Sequence, residues 1–373
     1  MEKVKIFHVI KKYKGNNPLL NALILGLDDR FDANACYLYG SPDGENILDQ
    51  YGKAVYLDIN FEKSKLAIIH ALSRFLKSES PKILHCHKHR TTVLGVAAAI
   101  FSGTPYVISH VHGMNRTRTF RTRLINWLLW RRVALIISVS ESVRKDILRT
   151  NWSLNPAKVV TLWNGIDIAP IDAFSLDRKL ARTKMGLSES DFVFGSVGRL
   201  VKTKGHKYLL KSFAEISKKC PNARVVIIGD GPLSHDLIEQ AQETGIKQNV
   251  LFPGFRNDIL ELLPGFDVFV LPSIAEGLSL ALLEAMASKL PVIASDAGGI
   301  PEVFGNEEVG RLVPSKDIAA LGSAMLDLYS LDKREKMLLG ENARKRIERE
   351  FKIDAMCKKL GGLYESLLTQ DKG

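Results

Sequence analysis

The sequence predicts an α/β protein made of two doubly wound parallel-sheet domains. Three observations predict it. Short Val/Ile-rich runs alternate with helical segments, the pattern of parallel strands covered on both faces. The alternation runs as two separate series, one over residues 4–162 and one over 192–313. A chain of 373 residues suits two domains of about 100–200 residues each.

In the first series, strands are expected near Val4–Ile10, Ala33–Tyr39, Lys82–Cys86, Tyr106–Ser109, Leu135–Val139 and Val159–Leu162. Helices are expected near Pro18–Leu27, Leu66–Lys77, Thr91–Phe101, Thr117–Arg132 and Glu141–Thr150. Pro18 suits the first position of its helix, where no N–H is needed. Ser140 suits the N-cap of Glu141–Thr150. In Thr117–Arg132, Phe120, Leu124, Trp127 and Leu128 fall on one helical face, with arginines around the rest. In the second series, strands are expected near Phe192–Val197, Arg224–Ile228, Val250–Phe252, Val268–Leu271, Pro291–Ala294 and Gly310–Val313. Helices near His206–Lys219, Leu233–Thr244, Leu278–Ala287 and Asp317–Tyr329 separate them. Two helices, near Asp332–Glu350 and Ile353–Leu368, follow with no strand after them.

The boundary is expected within Asn164–Ser175, giving domains over 1–168 and 169–350. The tail 351–373 is expected to pack back on the first domain. Open parallel sheets bind ligands beyond the carboxyl ends of their strands. Two such domains are therefore expected to face a central cleft and to close on a ligand, and strand-end motifs are the places to look.

Hydrophobic residues make up 46% of the chain and charged residues 25%, which excludes disorder and collagen-like repeats. The chain has no apolar run long enough for a membrane-spanning helix. The opening Met1-Glu2-Lys3-Val4-Lys5-Ile6-Phe7 lacks the pattern of a signal peptide. Cys36, Cys86, Cys220 and Cys357 form no CxxC pair and are expected as reduced, buried thiols in a cytoplasmic protein. The net charge is +11, and residues 1–170 carry all the excess, with 24 Lys+Arg against 13 Asp+Glu. Arg116, Arg118, Arg121, Arg123, Arg131 and Arg132 lie in a stretch with no acid. Such a patch attracts phosphates of glycolipid, anionic membrane or nucleic acid.

The strongest motif is Glu276-Gly277-Leu278-Ser279-Leu280-Ala281-Leu282-Leu283-Glu284, after the run Asp267–Leu271. If the stretch is helical, its two carboxylates sit about 80° apart around the axis and about 12 Å along it. That spacing suits the two ends of one extended ligand. Glu276 is then expected at the helix N-terminus. Gly198-Arg199-Leu200-Val201-Lys202-Thr203-Lys204-Gly205 follows the strand Phe192–Val197. Arg199 and Lys204 put two cations at a strand end, where fixed charge can stabilise an anionic ligand group. Lys202 is expected at the surface. Gly229-Asp230-Gly231-Pro232 and Phe252-Pro253-Gly254-Phe255-Arg256 follow the next two strands.

In the first domain, Ser109-His110-Val111-His112-Gly113 ends a strand. An imidazole there can hydrogen-bond a ligand oxygen; His110 is read as an orienting or core histidine. His85-Cys86-His87-Lys88-His89 looks like a zinc cluster, but the spacings are too short and no second ligand pair follows. No metal is expected. The loop Lys11-Lys12-Tyr13-Lys14-Gly15-Asn16-Asn17-Pro18 follows the first strand, and its Gly15 and Asn16 suit a left-handed turn.

The stretch 266–301 resembles the signature of family 4 retaining glycosyltransferases. The matching residues are Asp267-Val268-Phe269-Val270-Leu271-Pro272-Ser273, Glu276-Gly277, Glu284-Ala285-Met286-Ala287-Ser288, Pro291-Val292-Ile293-Ala294 and Gly298-Gly299-Ile300-Pro301-Glu302. The resemblance implies the GT-B fold, with an acceptor-binding first domain and a nucleotide-sugar-binding second domain. It implies transfer from a UDP- or GDP-sugar to a hydroxyl of a glycan or lipid-linked acceptor, in bacterial lipopolysaccharide, O-antigen or exopolysaccharide synthesis. Catalytic roles then fall on His112, Arg199, Lys204 and Glu276. Donor contacts fall on Gly15, Asn16, Gly198, Gly229, Gly231, Phe255, Gly277, Leu278, Ser279 and Glu284, with Glu276 on the sugar and Glu284 on the ribose. His87, Arg116 and Arg118 fall on the acceptor side. The family usually has a Gly-Gly pair where this chain has the single Gly15. Asp-x-Asp is absent, which favours metal-independent chemistry. Retention can arise through a covalent intermediate or same-face attack; the absence of an obvious nucleophile favours the second. A nucleotide-sugar epimerase of the same fold and a basic nucleic-acid-binding protein are the competing readings. The basic segment 116–132 is expected to meet an anionic membrane surface at the cytoplasmic face.

Overall fold

A computed structural model of the chain describes all residues except 1–2, 14, 16, 42–45, 60–63, 115–119, 152, 175–176 and 370–373, and the side chains of 120–123. The chain divides into two compact units, one of 1–165 with 353–373 and one of 166–352. The division lies three residues before the expected 168/169 and two after the expected 350/351. Ile166 N–H donates to the Phe351 carbonyl (2.9 Å), so the two crossing segments run side by side.

The first unit holds a seven-stranded, all-parallel sheet. Its strands are β1 (Val4–Lys12), β2 (Phe31–Tyr39), β3 (Ala54–Tyr56), β4 (Ile83–His87), β5 (Tyr106–Val111), β6 (Val133–Ser138) and β7 (Val159–Thr161). Their order is β3-β2-β1-β4-β5-β6-β7, so the winding reverses between β1 and β4. The three-residue β3 and the short helix Ile47–Gln50 lack a sequence signal. Asn17 caps the helix Pro18–Leu25, with Pro18 at its first position. Ser140 Oγ accepts from Val143 N–H (3.2 Å) and caps Glu141–Thr150. The closing helix Ile353–Thr369 covers this sheet. Its Met356, Cys357, Leu360, Tyr364 and Leu367 join the same buried cluster as Ile6, Ile83, Ile108 and Ile137.

The second unit holds a six-stranded parallel sheet of β8 (Phe192–Val197), β9 (Ala223–Ile228), β10 (Val250–Gly254), β11 (Val268–Leu271), β12 (Val292–Asp296) and β13 (Gly310–Pro314). Their order is β10-β9-β8-β11-β12-β13, and the winding reverses between β8 and β11. Phe194, Val225, Ile227, Val270 and Ile293 form its centre with Leu209, Leu210 and Phe213 of the helix His206–Ile216. Asp267 anchors the helix Arg178–Met185 to the head of β11. It accepts from Arg178 (2.5 Å), Arg182 (2.8 Å) and Val193 N–H (2.7 Å). Arg182 is fully buried, and its remaining N–H groups donate to the carbonyls of Gly265, Ser188 and Glu189.

In each unit the reversal point lies beside the loops that carry the motifs. That is where open α/β sheets leave a crevice for ligands.

Candidate active site

In the second unit the loops after β8, β9 and β10 lie side by side. Gly198 N–H donates to the Ile228 carbonyl and Gly229 N–H to the Gly254 carbonyl. Gly229 has φ +143°, and a Cβ there would sit 2.0 Å from the Gly198 oxygen. A Cβ on Gly231 would sit 2.5 Å from the Leu200 oxygen. Both glycines are thus required by backbone contact between the loops. Phe255 projects into solvent beyond β10.

Arg199 and Lys202 are exposed, whereas Lys204 is half-buried. Lys204 Nζ lies 2.5 Å from Glu276 Oε1. Ser273 Oγ donates to the same oxygen at 2.7 Å. Ile274 N–H donates to the Thr203 carbonyl (2.8 Å) and ties the loop after β11 to the loop after β8. The pair therefore spans the reversal point of this sheet. Ser273 is the partner that the motif alone did not reveal.

Glu276 is not at a helix N-terminus. The helix runs Leu280–Ala287, and Ser279 caps it by accepting from Leu282 N–H (3.4 Å). Residues 272–279 form a loop, held by the Lys204 and Ser273 contacts to Glu276. The angular spacing of Glu276 and Glu284 on one continuous helix is corrected accordingly. Glu284 lies within the helix, and burial pushes its carboxyl up to about 7. Gly277, Leu278 and Ser279 lead into the helix, whose first N–H groups favour an anion.

In the first unit the strand ends carry histidine. His8 pairs in register with His85, and His87 with His110. Alternation along the strands puts His8, His85 and His87 on one face, and His110 and His112 join them across β5. Cys86 points the other way, against Gly95 of the helix His89–Ser102. A second His-x-His pair therefore does accompany His85-Cys86-His87, contrary to the expectation from spacing. Parallel pairing of β4 with β5 supplies it from a distant part of the sequence. The ligand atoms of His8, His85 and His87 lie within 4.8 Å of one another, as do those of His87, His110 and His112. These nitrogens face one another as hydrogen-bond partners. His87 meets His8 at 3.0 Å and His112 at 3.1 Å, and His85 meets His110 at 3.1 Å.

Burial holds the rings neutral. His8 is pushed down to about 3 and His112 to about 4, the latter also by Lys88. His85, His87 and His110 are driven well below the usual histidine range by the same burial. His110 has the core position that its sequence context suggests. Lys88 adopts φ +75° between His87 and the next helix, a conformation that costs a side-chain-bearing residue about 1–3 kcal/mol. Gly15, at φ +86°, makes the turn after β1. Asn16, Arg116 and Arg118 lie outside the described residues.

The basic segment contains the helix Phe120–Leu129. Among its described side chains, Asn126 faces inward and bonds His89 (2.6 Å) and Asn151 (3.1 Å), with Trp130 buried just beyond. Leu124 and Leu128 are 59% and 64% exposed, and Ile125 and Trp127 are also exposed. The Arg131 guanidinium stacks on the Trp127 ring at 4.2 Å.

Residues 177–346 match the family described as Glycosyl transferases group 1, and residues 35–169 match Glycosyltransferase Family 4. The UDP-Gal:alpha-D-GlcNAc-diphosphoundecaprenol alpha-1,3-galactosyltransferase of Escherichia coli is 31% identical, over 92% of this chain and 91% of its own. This chain belongs to glycosyltransferase family 4. The glycosyltransferase is also 27% identical to the capsular polysaccharide biosynthesis glycosyltransferase CapM of Staphylococcus aureus, over the full length of both chains. The structure of Alr3699/HepE of Anabaena, solved in complex with UDP, matches it with a TM-score of 0.81 at 20% identity. That match covers 97% of this chain and 100% of the other. The two parallel-sheet units are the two Rossmann-like domains of the GT-B fold.

Proposed function

We propose that this glycosyltransferase moves a sugar from a UDP-sugar to a hydroxyl of a lipid-linked glycan in bacterial surface-polysaccharide synthesis. The reaction proceeds with retention and without a metal ion. The observation that carries the mechanism is the Lys204–Glu276 pair, 2.5 Å apart beside the reversal point of the second sheet. UDP as carrier is supported by the UDP-Gal donor of the Escherichia coli relative and by the UDP bound in the Anabaena structure. The acceptor class is supported by the diphosphoundecaprenol substrate named for the former.

In this reading, Lys204 and Arg199 meet the diphosphate as its charge builds. Glu276 holds Lys204 in place and meets the transferred sugar, and His112 contacts a hydroxyl of that sugar. The N–H groups of Gly277, Leu278 and Ser279 face a phosphate, and Glu284 accepts from the ribose hydroxyls. Gly198, Gly229 and Gly231 let the loops pack closely enough for the nucleotide to lie against backbone, with Phe255 beside the base. Gly15 and Asn16 contribute from the first domain. The bond from the anomeric carbon to the diphosphate oxygen breaks. The acceptor oxygen bonds that carbon on the same face, and its proton passes to the departing phosphate oxygen. Two cations supply the charge that a metal would otherwise bring.

Arg116 and Arg118 are assigned to the acceptor side, whereas His87, buried and bonded at both ring nitrogens, acts there only through its bond to His112. The outward face of Leu124, Ile125, Trp127 and Leu128, edged by Arg131 and Arg132, lies on an anionic membrane that carries the acceptor.

Calorimetric titration with UDP tests the donor site. Glu284→Ala is expected to weaken UDP binding by about 1–3 kcal/mol, the worth of charged hydrogen bonds. Unchanged affinity would contradict the assignment.

A further inference from the structure

Five buried or half-buried imidazoles and one phenol form a single hydrogen-bonded chain in the first domain. His112 Nε2 meets His87 Nδ1 at 3.1 Å, and His87 Nε2 meets His8 Nδ1 at 3.0 Å. His8 Nε2 meets the Tyr364 hydroxyl at 3.3 Å, and that hydroxyl meets His85 Nδ1 at 2.6 Å. His85 Nε2 meets His110 Nδ1 at 3.1 Å. Tyr364 comes from the closing helix, far from the histidines in sequence. At the inner end, His110 Nε2 is buried with no partner among the described residues. At the outer end, His112 is half-buried, and among the described residues its Nδ1 has no hydrogen-bond partner.

Every contact joins the Nε2 side of one ring to the Nδ1 side of the next, directly or through the phenol. A neutral imidazole has one N–H and one lone pair, and a phenol donates once while accepting once. Each link needs one proton. The rings therefore cannot choose tautomers independently: all five carry hydrogen on Nδ1, or all five carry it on Nε2. An added proton inside the chain would set N–H against N–H, and burial opposes it. A shared metal ion would need lone pairs that the neighbouring rings already use.

The inner end selects between the two states. With hydrogen on every Nε2, His110 would bury an N–H with no acceptor, and orphaned buried N–H groups are rare. With hydrogen on every Nδ1, His110 ends the chain with a lone pair. The spare N–H then emerges at His112, where solvent or ligand can accept it.

We propose that this chain is a tautomer relay that holds His112 in the Nδ1–H form, an N–H donor for an oxygen of the transferred sugar, with Tyr364 joining its outer three rings to its inner two. The part concerning the sugar rests on the glycosyl-transfer reading. The relay itself does not.

The test is a long-range proton–nitrogen correlation spectrum of the full-length, nitrogen-15-labelled protein, dialysed against EDTA, near neutral pH. It distinguishes Nδ1–H from Nε2–H rings without any substrate, so the relay can fail while the transfer reading stands, and the reverse. The expected result is Nδ1–H for His8, His85, His87, His110 and His112. A mixture of tautomers, or Nε2–H throughout, would overturn the proposal, and so would zinc retained on these rings after dialysis. Tyr364→Phe cuts the chain between His8 and His85. His8 Nε2 then becomes a buried end without an acceptor, so His8, His87 and His112 are expected to keep Nδ1–H, whereas His85 and His110 must leave one buried N–H without an acceptor in either state and are expected to average between tautomers. A folded Tyr364→Phe protein in which His85 and His110 keep a single tautomer, or in which His112 changes to Nε2–H, would overturn the relay. The wild-type spectrum decides the relay should that variant fail to fold.

Discussion

Lys204 Nζ and Glu276 Oε1 stand 2.5 Å apart, and Ser273 Oγ donates to the same carboxylate oxygen. Lys204 comes from the loop after β8 and Glu276 from the loop after β11, neighbours in the sheet. The carboxylate thus orients a cation that would otherwise swing in solvent. Lys204→Ala is expected to lower kcat by about 10²–10³, the cost of removing one charge-stabilising group. Glu276→Gln should also lower it, and the double variant should lose less than the product of the two effects, because both act through one pair. Steady-state rates of the four proteins check this.

Glu284 has a carboxyl raised by burial to about 7. If ribose hydroxyls donate to the ionised form, as proposed above, UDP binding near neutral pH should release a proton. Affinity should fall as pH drops below about 7, by up to tenfold per unit. Calorimetry in buffers of different ionisation enthalpy measures the release, and Glu284→Gln should abolish it.

The histidine chain makes stability depend on acidity. His8, His85, His87, His110 and His112 all have folded values below the ordinary histidine value. The unfolded chain therefore binds more protons below about 6.5, and stability falls there at up to about 1.4 kcal/mol per pH unit for each histidine. Above that range their contribution is constant. The urea midpoint should drop between about pH 7.5 and about pH 5.5, and it should drop less in a His8→Asn variant.

Asp267 belongs to the motif that identifies the family, yet its work is structural. Asp267→Ala would leave the buried Arg182 without its carboxylate and should cost about 3–5 kcal/mol. Arg178→Ala, at a half-exposed partner, should cost about 1 kcal/mol or less. Denaturant unfolding compares the two.

The outward apolar face of Phe120–Leu129 should bind vesicles containing anionic lipid, with an affinity that falls steeply as salt rises. Changing Leu124 and Leu128 to Ser should weaken binding while leaving the fold intact, since both side chains face solvent. Sedimentation with vesicles checks it.

Much of this was legible in the sequence. Alternating strands and helices located both sheets, because buried parallel strands are written as continuous β-branched runs. Strand-end motifs pointed to Lys204, Glu276 and His112, and in the structure these lie just beyond β8, β11 and β5, where ligands of such folds gather. The histidine chain was not legible as a unit. Its members, at positions 8, 85, 87, 110, 112 and 364, meet only through the pairing of β1, β4 and β5 and the return of the closing helix. The two His-x-His pairs were the available signal, one on each of two neighbouring strands. Periodicity correctly grouped Leu124, Trp127 and Leu128 on one helix face but carried no information on which face is covered. Asn126 faces inward because it bonds His89 and Asn151. The helical reading of Glu276 failed because Ser279 is the better cap and the carboxylate is drawn to Lys204.

The most direct test of the central claim is turnover of UDP-, GDP-, ADP- and TDP-sugars in EDTA, with the anomeric configuration of the product followed by NMR. A UDP-sugar is expected to be consumed without metal, the product to keep the donor's anomeric configuration, and Lys204→Ala to abolish most of the turnover. Strict dependence on an added divalent cation, or an inverted product, would contradict that claim.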